Sequence, residues 1–137
     1  MTPVFLDTSG LIAVVNTDDQ WHEPAAAGRR ALIDSNRQLI TSSYVLVEIG
    51  DGLSRVHQRA LAMSLFDRLR ASPRVEIVAA TAELEAQAWD LVRRRMDKDR
   101  GITDCATFVL MQQRGIQAAF TLDHHFQQAG FRSLLLA

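Results

Sequence analysis

The chain has 137 residues, of which 47% are apolar and 23% charged, and its formal net charge is −1 at pH 7. A chain of this length and composition forms one globular domain with a sizeable core, which excludes disordered and fibrous proteins. The near-neutral charge excludes a protein that binds duplex DNA mainly through its phosphates. We therefore expect a single domain over residues 1–137.

Reactive residue types are scarce in this chain. Cys105 is the only cysteine, which excludes an internal disulfide and zinc sites built from several cysteines. Lys98 is the only lysine and lies in a charged run, which argues against Schiff-base chemistry. Asp7 interrupts the first apolar run, which no basic segment precedes, so neither a signal peptide nor a membrane span is predicted. We expect a soluble cytoplasmic protein with no membrane contact.

Short apolar strands alternate with helical patterns along the chain. Strands are predicted at 3–7, 38–42, 75–80, 117–123 and 131–137. Helices are predicted to begin after Asp7, near Pro24, at Ser42 or Ser43, after Thr81 and near Asp104. Apolar strands that alternate with helices indicate a parallel sheet with helices on both faces. The predicted fold class is α/β, a three-layer α/β/α sandwich around a mainly parallel sheet of about five strands.

The helix after the second strand carries one candidate site residue. Its pattern places Val45, Ile49 and Val56 on one face of the helix and Glu48 near the margin of that face. Two glycines follow Glu48, and each is about 1 kcal/mol less favourable in a helix than alanine. A break in the helix at these glycines would move Glu48 away from its predicted position.

Four carboxylates lie at or near strand ends in the predicted sheet. Asp7 ends the first strand, and Asp123 comes at the end of the fourth. Asp104 opens a strongly apolar helix that ends at Gly115, and Glu48 lies one turn inside its own helix. Because parallel α/β sheets bind ligands beyond the carboxyl ends of their strands, we expect these four side chains to meet at one edge.

Crowded carboxylates indicate a metal site. Like charges a few ångströms apart raise one another's pKa, and a divalent cation removes that repulsion. Oxygen ligands of this kind are preferred by Mg²⁺ and Mn²⁺. Paired ions in such sites stabilise the attacking and leaving oxygens of a phosphodiester. The four acids, as catalytic and metal-binding residues, therefore predict metal-assisted phosphodiester hydrolysis with Mg²⁺ or Mn²⁺ as cofactor.

Most of these acids also have a purely structural explanation. Asp104 would be favoured by the dipole at its helix N-terminus, and Asp123 would cap the short helix after it. Glu48 would be a solvated residue at the edge of an amphipathic helix. Asp7 is harder to explain in this way, because it ends a buried strand without a capping motif. The ordered combination of four acids favours the metal site over these separate explanations.

The segments that carry the acids resemble a known family. In chain order they read FLDTSGLIAV, SSYVLVEIGDGL, DKDRGITDCATFVLM and AAFTLDHHFQQAGF. They are similar to the PIN-domain nucleases and, within these, to the VapC-type toxins of toxin–antitoxin pairs. The resemblance runs along essentially the whole chain. Its most specific parts are Asp-Thr-Ser after the first strand, Thr-Asp-Cys at the helix start and Thr-x-Asp-x-x-Phe near the end.

The resemblance implies a PIN-like nuclease domain that cuts single-stranded or loop RNA with Mg²⁺ or Mn²⁺. Asp7 and Asp104 would be the principal metal ligands. Glu48 would be a further ligand or a base behind the ligands, and Asp123 the fourth and most variable member. The implied partners are an RNA substrate, a cognate antitoxin and a second copy of the chain. An apolar patch on the helices at 43–72 is a candidate contact for the homodimer.

Other prominent side chains are assigned structural roles. Cys105 is expected to be a small buried hydrophobe, because no basic neighbour activates it. His124 and His125 are adjacent, which argues against a paired histidine site, although one of them could face the acids. Trp21 and Trp89 could each stack on a base, but Trp89 is expected to pack its helix into the core. The basic run at 93–100 is interpreted as a solvated helix end, with binding of RNA phosphates as the alternative.

Two other functions compete with the nuclease. One is a catalytically silent PIN-like module that binds a partner and uses its acids only structurally. The other is a phosphatase or response-regulator-like domain in which Asp7 accepts phosphate covalently. That chemistry usually needs a second acid close behind the nucleophile or a well-placed lysine, and Lys98 is the only lysine.

Overall fold

The computed structural model describes residues 2–136. Five parallel strands form one sheet: β1 (Val4–Leu6), β2 (Leu39–Ser42), β3 (Val75–Val78), β4 (Ala118–Phe120) and β5 (Arg132–Ser133). Their order in the sheet is β3-β2-β1-β4-β5, so β1 lies at the centre. The register aligns Val4 of β1 with Leu39 on one side and with Ala118 on the other.

Seven α-helices connect the strands in the described part of the chain. They are α1 (Thr8–Val15), α2 (His22–Ser35), α3 (Ser43–Gly52), α4 (Arg59–Ala71), α5 (Ala82–Arg94), α6 (Ile102–Arg114) and α7 (His125–Gln128). A short 3-10 helix at Val56–Gln58 precedes α4. The predicted α/β/α fold class with a five-stranded parallel sheet is confirmed.

The core is centred on β1 and α6. All three residues of β1 are at most 3% exposed, because the strand lies at the centre of a parallel sheet whose faces are covered by helices. In α6, Phe108 is 2% exposed and packs edge-on against Phe126 of α7, with ring centroids 5.0 Å apart. Burial of an aromatic side chain of this kind stabilises a fold by about 2–3 kcal/mol. The N-terminus of α6, which carries Asp104, is therefore anchored by the core behind it.

The strand order places a crevice beside β1. The chain moves from β1 to β2 and β3 on one side, and then returns to β4 on the other side. Ligand sites in open parallel sheets lie at such a reversal, beyond the carboxyl ends of the strands. Asp7 directly follows β1, and Thr121 directly follows β4. These two residues therefore lie at the place where the fold opens.

The helix that carries Glu48 is not broken by its glycines. α3 runs from Ser43 to Gly52, and the Oγ of Ser42 accepts a hydrogen bond from the Val45 N–H at 3.4 Å, as an N-cap does. Glu48 keeps its predicted place. The prediction that this face of the helix continues to Val56 is wrong, because α3 has ended and Val56 is 89% exposed in the 3-10 helix.

Two other structural expectations need correction. Trp89 is 54% exposed on α5 and does not pack into the core. The strands are shorter than predicted, and β5 covers only Arg132–Ser133 of the expected 131–137, with Ala137 outside the described residues. β4 ends at Phe120, so Asp123 lies in the loop beyond it.

Among the described helices, none is long and apolar enough to cross a membrane.

Candidate metal centre

Asp7 lies where the chain leaves the sheet to begin α1. Its side chain is 5% exposed and makes no capping hydrogen bond to α1. Instead, its Oδ2 accepts hydrogen bonds from Thr121 Oγ1 at 2.7 Å and from Ser9 Oγ at 3.1 Å. The Ser9 Oγ in turn accepts a hydrogen bond from the Leu122 N–H at 2.9 Å. Hydroxyl groups from both sides of the β1–β4 crevice thus fix the Asp7 carboxylate.

The environment of Asp7 opposes its ionisation. Burial raises the pKa of Asp7 from 3.8 to about 6, although the hydrogen bonds from Thr121 and Ser9 act in the opposite direction. The negative charge of Glu48 adds to the rise. In the metal-free protein the charged form of this carboxyl is therefore costly, which a capping or surface role would not require.

Glu48 approaches the same crevice from α3. Its Oε1 accepts a hydrogen bond of 2.6 Å from Thr8 Oγ1, so the first residue of α1 orients it. Partial burial raises the pKa of Glu48, and the charges of Asp104 and Asp123 raise it further. Glu48 is therefore not a solvated helix flank, because it shares the crevice with the other acids.

Asp104 combines a capping contact with a place in the crevice. Its Oδ2 accepts a hydrogen bond from the Gly101 N–H at 3.3 Å, as expected of a carboxylate in the first turn of a helix. Burial raises the pKa of Asp104, the charge of Asp123 raises it further, and Arg100 and His125 lower it. The helix terminus thus explains one contact of Asp104 but not its position beside another acid.

Asp123 turns the chain into α7 and brings a histidine with it. Its Oδ1 accepts a hydrogen bond from the His125 N–H at 2.9 Å. The imidazole Nδ1 of His125 lies 3.1 Å from Asp123 Oδ1 and 3.9 Å from Asp104 Oδ2. This nitrogen is buried and has no hydrogen-bond partner among the described residues, since the short contact with Asp123 is not aligned for one.

All four predicted acids line one cavity of about 680 Å³, which we call the acid cavity. Asp104, Asp123 and His125 each offer a ligand atom there, and these atoms lie within 4.8 Å of one another. Asp7 and Glu48 also line the cavity but lie outside this close group. Its remaining lining residues are Thr8, Ser9, Ile12, Asp51, Gly52, Asp99 and Gly101.

The donor set fits a divalent cation. The cavity offers carboxylate oxygens from separate elements, which repel one another without a cation. The unpartnered Nδ1 of His125 is a second indication, because buried polar atoms are rarely left without a partner. Carboxylate oxygens are the ligands that Mg²⁺ and Mn²⁺ prefer, and the four acids supply them. The residues present therefore fit the kind of ion that the sequence predicts.

Sequence reasoning underestimated part of this site. It gave the adjacent histidines surface or packing roles, yet His125 faces the two acids while His124 is exposed. His125 follows Asp123 by two positions, and a tight turn brings side chains at this spacing to the same side. This spacing was the sequence signal that could have identified His125 as a site residue. Asp51 and Asp99 were also not predicted to line the cavity. Cys105 is 2% exposed and burial raises its pKa, as expected for a residue that is not a nucleophile.

Comparison with known proteins agrees with this architecture. A model of the PIN domain family matches residues 4–132. The chain belongs to the PIN domain family. The match contains all four predicted acids and strands β1 to β4, and it ends at the first residue of β5.

One relative of this PIN domain is described as a toxin. The chain is 33% identical over 130 residues to the 23S rRNA-specific endonuclease VapC20 of Mycobacterium tuberculosis, which covers 93% of this chain and 95% of the relative. The crystal structure of VapC20, described as a sarcin–ricin loop cleaving toxin, superposes with a TM-score of 0.82 at 31% identity and covers 93% of this chain and 95% of that one. The predicted VapC-type PIN domain is thereby confirmed.

A more distant structure shares the fold. VapBC2 from Rickettsia felis, in a crystal structure with a DNA fragment from the promoter, gives a TM-score of 0.69 at 17% identity over 96% of both chains. At this identity the similarity supports the fold of the PIN domain.

Proposed function

We propose that this PIN domain is a metal-dependent endoribonuclease that acts as the toxin of a toxin–antitoxin pair. The observation that carries the proposal is the acid cavity, where Asp7, Glu48, Asp104 and Asp123 meet from four separate segments. The 33% identity to an rRNA endonuclease over nearly the whole chain supports RNA as the substrate. The single nuclease domain would extend over residues 1–137.

The four acids and His125 would hold Mg²⁺ or Mn²⁺. Asp104, Asp123 and His125 provide the closest group of ligand atoms, and Asp7 lies across the same cavity. When bound, the ion supplies positive charge to the phosphate oxygens and favours ionisation of the attacking water. Thr121 and Ser9 keep the Asp7 carboxylate in one orientation, and Thr8 does the same for Glu48.

Glu48 is placed to hold a proton during the reaction. Partial burial raises the pKa of Glu48. Thr8 donates its hydrogen bond to Oε1 of Glu48, so Oε2 does not take part in that bond. A carboxyl with a raised pKa accepts a proton from water more readily than an ordinary surface glutamate does. We therefore assign Glu48 as a further ligand or as the base beside the ligands.

The expected substrate is an exposed RNA loop. The acid cavity lies beyond the carboxyl ends of the β-strands, where single-stranded RNA can enter more easily than an RNA duplex. The relative VapC20 is named for cleavage of such a loop in 23S rRNA. Purified ribosomal RNA is therefore the first substrate to test.

The decisive experiment compares neutralised acids inside and outside the acid cavity. We expect Asp7→Asn and Asp104→Asn to lower the rate of RNA cleavage with Mn²⁺ by about a thousandfold, because each removes a charge that holds the ion. The matched control is Asp34→Asn, which neutralises an exposed acid on α2. Full cleavage by both cavity variants, purified and folded, would contradict the proposal.

The competing functions are disfavoured by the same cavity. A silent partner-binding module gains nothing from a buried aspartate whose pKa is raised to about 6. A covalent phosphate acceptor at Asp7 lacks a cationic neighbour, because no lysine lines the cavity among the described residues. Mn²⁺ binding by calorimetry separates the nuclease from the silent module, which has no reason to bind metal. Failure of Asp7 to be labelled by an acyl-phosphate donor would exclude the covalent phosphate acceptor.

The toxin would have protein partners in the cytoplasm. We infer a cognate antitoxin, because the relative VapC20 is described as a toxin. We also infer a homodimer, because Val47, Val56 and Met63 are 64%, 89% and 56% exposed on the helices at 43–72, where we expected an apolar contact. Co-expression with the product of the adjacent gene tests the antitoxin, and light scattering of the wild type and of Val47→Asp tests the dimer.

A further inference from the structure

A second cavity lies beside the acid cavity, and we propose that it binds a nucleotide of the RNA adjacent to the scissile phosphate. This basic cavity has a volume of about 400 Å³ and is lined by residues of α5, α6, α7 and the loops beside them. The two cavities share one segment, because Asp99 and Gly101 line the acid cavity and Arg100 lines the basic one. The inference rests on the proposed nuclease function, since it concerns the same substrate.

The floor of the basic cavity is aromatic and apolar. The ring of Phe131 is only partly buried, and behind it the buried Phe108 ring stacks against it with centroids 5.5 Å apart and planes 30° apart. Leu91, Val109 and Ala129 complete the floor. Unpaired nucleobases stack on surfaces of this kind in single-stranded RNA complexes. The floor is therefore suited to one base rather than to a small ion.

The rim of the basic cavity is cationic and rich in amides. Arg95 is paired with Asp97 at 3.1 Å, but Arg94 and Arg100 form no salt bridge with a described carboxylate. The guanidinium of Arg100 is held over the Phe108 ring, 5.2 Å from its centroid. Two arginines that form no salt bridge favour a phosphate group, because a guanidinium binds two phosphate oxygens at once.

Two glutamines add hydrogen-bonding groups to the rim. Gln112 and Gln128 line the cavity from α6 and α7, and both are exposed. A side-chain amide offers both donors and an acceptor, as the edge of a nucleobase requires. A metal ion is disfavoured by the arginines, and a purely apolar ligand by the polar rim. A base with its phosphate satisfies all parts of the cavity.

The position of the basic cavity along α6 agrees with a neighbouring nucleotide. Phe108 and Gln112 follow Asp104 by one and two helical turns, about 6 and 12 Å along the axis. An RNA strand that presents a phosphate to the acids therefore passes the aromatic floor with one of its next nucleotides. This contact would give the nuclease a preference for the base beside the cleavage site.

The test measures RNA binding in EDTA, where cleavage does not interfere. Fluorescently labelled, single-stranded oligoribonucleotides of random sequence are compared with abasic oligomers that have the same number of phosphates. Gln112→Ala is matched with Gln113→Ala, its exposed neighbour that hydrogen-bonds Gln87 at 2.8 Å. Arg94→Gln is matched with Arg93→Gln, an exposed arginine that does not line the cavity. Thermal melting of each variant verifies folding.

The two cavity variants have different expected signatures. Gln112→Ala should weaken binding of the random RNA by about fivefold or more and leave the abasic oligomer unchanged, because it removes a base contact. Arg94→Gln should weaken both by about fivefold and lower the salt dependence by about one phosphate, because it removes a backbone contact. Both control variants should bind like the wild type.

The outcomes separate this inference from the nuclease proposal. Gln112→Ala and Arg94→Gln that bind like their controls would overturn the basic cavity as a nucleotide site, and so would a wild type that binds no RNA. Cleavage of RNA by the wild type with Mn²⁺ is measured separately. A protein that shows the expected binding losses but no cleavage would support the nucleotide site and contradict the nuclease.

Discussion

The acid cavity has two unlike sides. On the side of β1 and α3, Asp7 and Glu48 are each held by a threonine hydroxyl, at 2.7 and 2.6 Å. On the side of α6 and α7, Asp104 and Asp123 accept hydrogen bonds only from backbone N–H groups in the described part of the chain. The acids of the second side are only partly buried, whereas Asp7 is buried, and the second side includes the Nδ1 of His125, which has no hydrogen-bond partner among the described residues.

The first side of the cavity orients its carboxylates before a metal ion binds, and the second side provides the closest ligands for that ion. Hydroxyl donors keep the first pair of carboxylates aimed at the cavity before an ion arrives, at the cost of burying Asp7. The second side places three ligand atoms within 4.8 Å of one another, close enough to share one ion. Substitutions on the first side should therefore change orientation and folding stability, and those on the second side should change metal affinity most directly.

The largest effect expected from this contrast is a change in the free energy of unfolding when Asp7 is replaced. The folded-state pKa of about 6 is above the unfolded value near 3.8, so the unfolded chain binds fewer protons between these values. The stability associated with protonated Asp7 is fully present below about pH 4 and is lost as the pH rises through 6. Asp7→Asn should therefore stabilise the metal-free protein at pH 7 by up to about 3 kcal/mol while it slows cleavage.

Urea unfolding in EDTA at several pH values from 4 to 7 measures this effect. The difference in unfolding free energy between Asp7→Asn and the wild type should grow with pH, and Asp34→Asn should show no such trend. A loss of stability in Asp7→Asn that is the same at every pH would mean that Asp7 is a structural hydrogen-bond acceptor instead.

A smaller effect is expected when Glu48 loses its orienting hydroxyl. Thr8→Val removes the 2.6 Å hydrogen bond to Glu48 with little change of volume, and the rate of cleavage should fall about tenfold or more. Thr8→Ser keeps the hydroxyl and is the matched control. Equal rates in both variants, measured with saturating Mn²⁺, would show that the orientation of Glu48 does not limit the reaction.

The sequence predicted the parts of the site that depend on the strand pattern, and it did not predict the parts that depend on turns and tertiary packing. Asp7 and Asp123 were predicted to meet because parallel strands send their ends to one edge, which the strand pattern alone reveals. The sequence did not show which of the two histidines faces the acids, because the direction of His125 depends on the turn that Asp123 makes with the His125 N–H, and α7 is only four residues long. Val56 and Trp89 were misplaced because helix ends and exposed faces depend on tertiary packing, which periodicity does not show.

The smallest effect is expected at His125. If its Nδ1 assists ion capture, His125→Gln should weaken Mn²⁺ binding by about threefold to tenfold, because the carboxylates carry most of the affinity. His124→Gln changes the exposed neighbour and should bind Mn²⁺ like the wild type. Calorimetric titration of both variants checks this, and equal affinities would mean that His125 only packs beside Asp123.

Calorimetric titration of the wild type and of Asp104→Asn with Mn²⁺ tests most directly whether the acids crowd together in order to bind a cation. Asp104→Asn keeps an oxygen for the Gly101 N–H, so its helix should remain capped. We expect saturable Mn²⁺ binding by the wild type and a loss of affinity of about a hundredfold in the variant. Equal titrations of the two proteins, or no uptake of Mn²⁺ by either, would contradict a metal centre in this cavity.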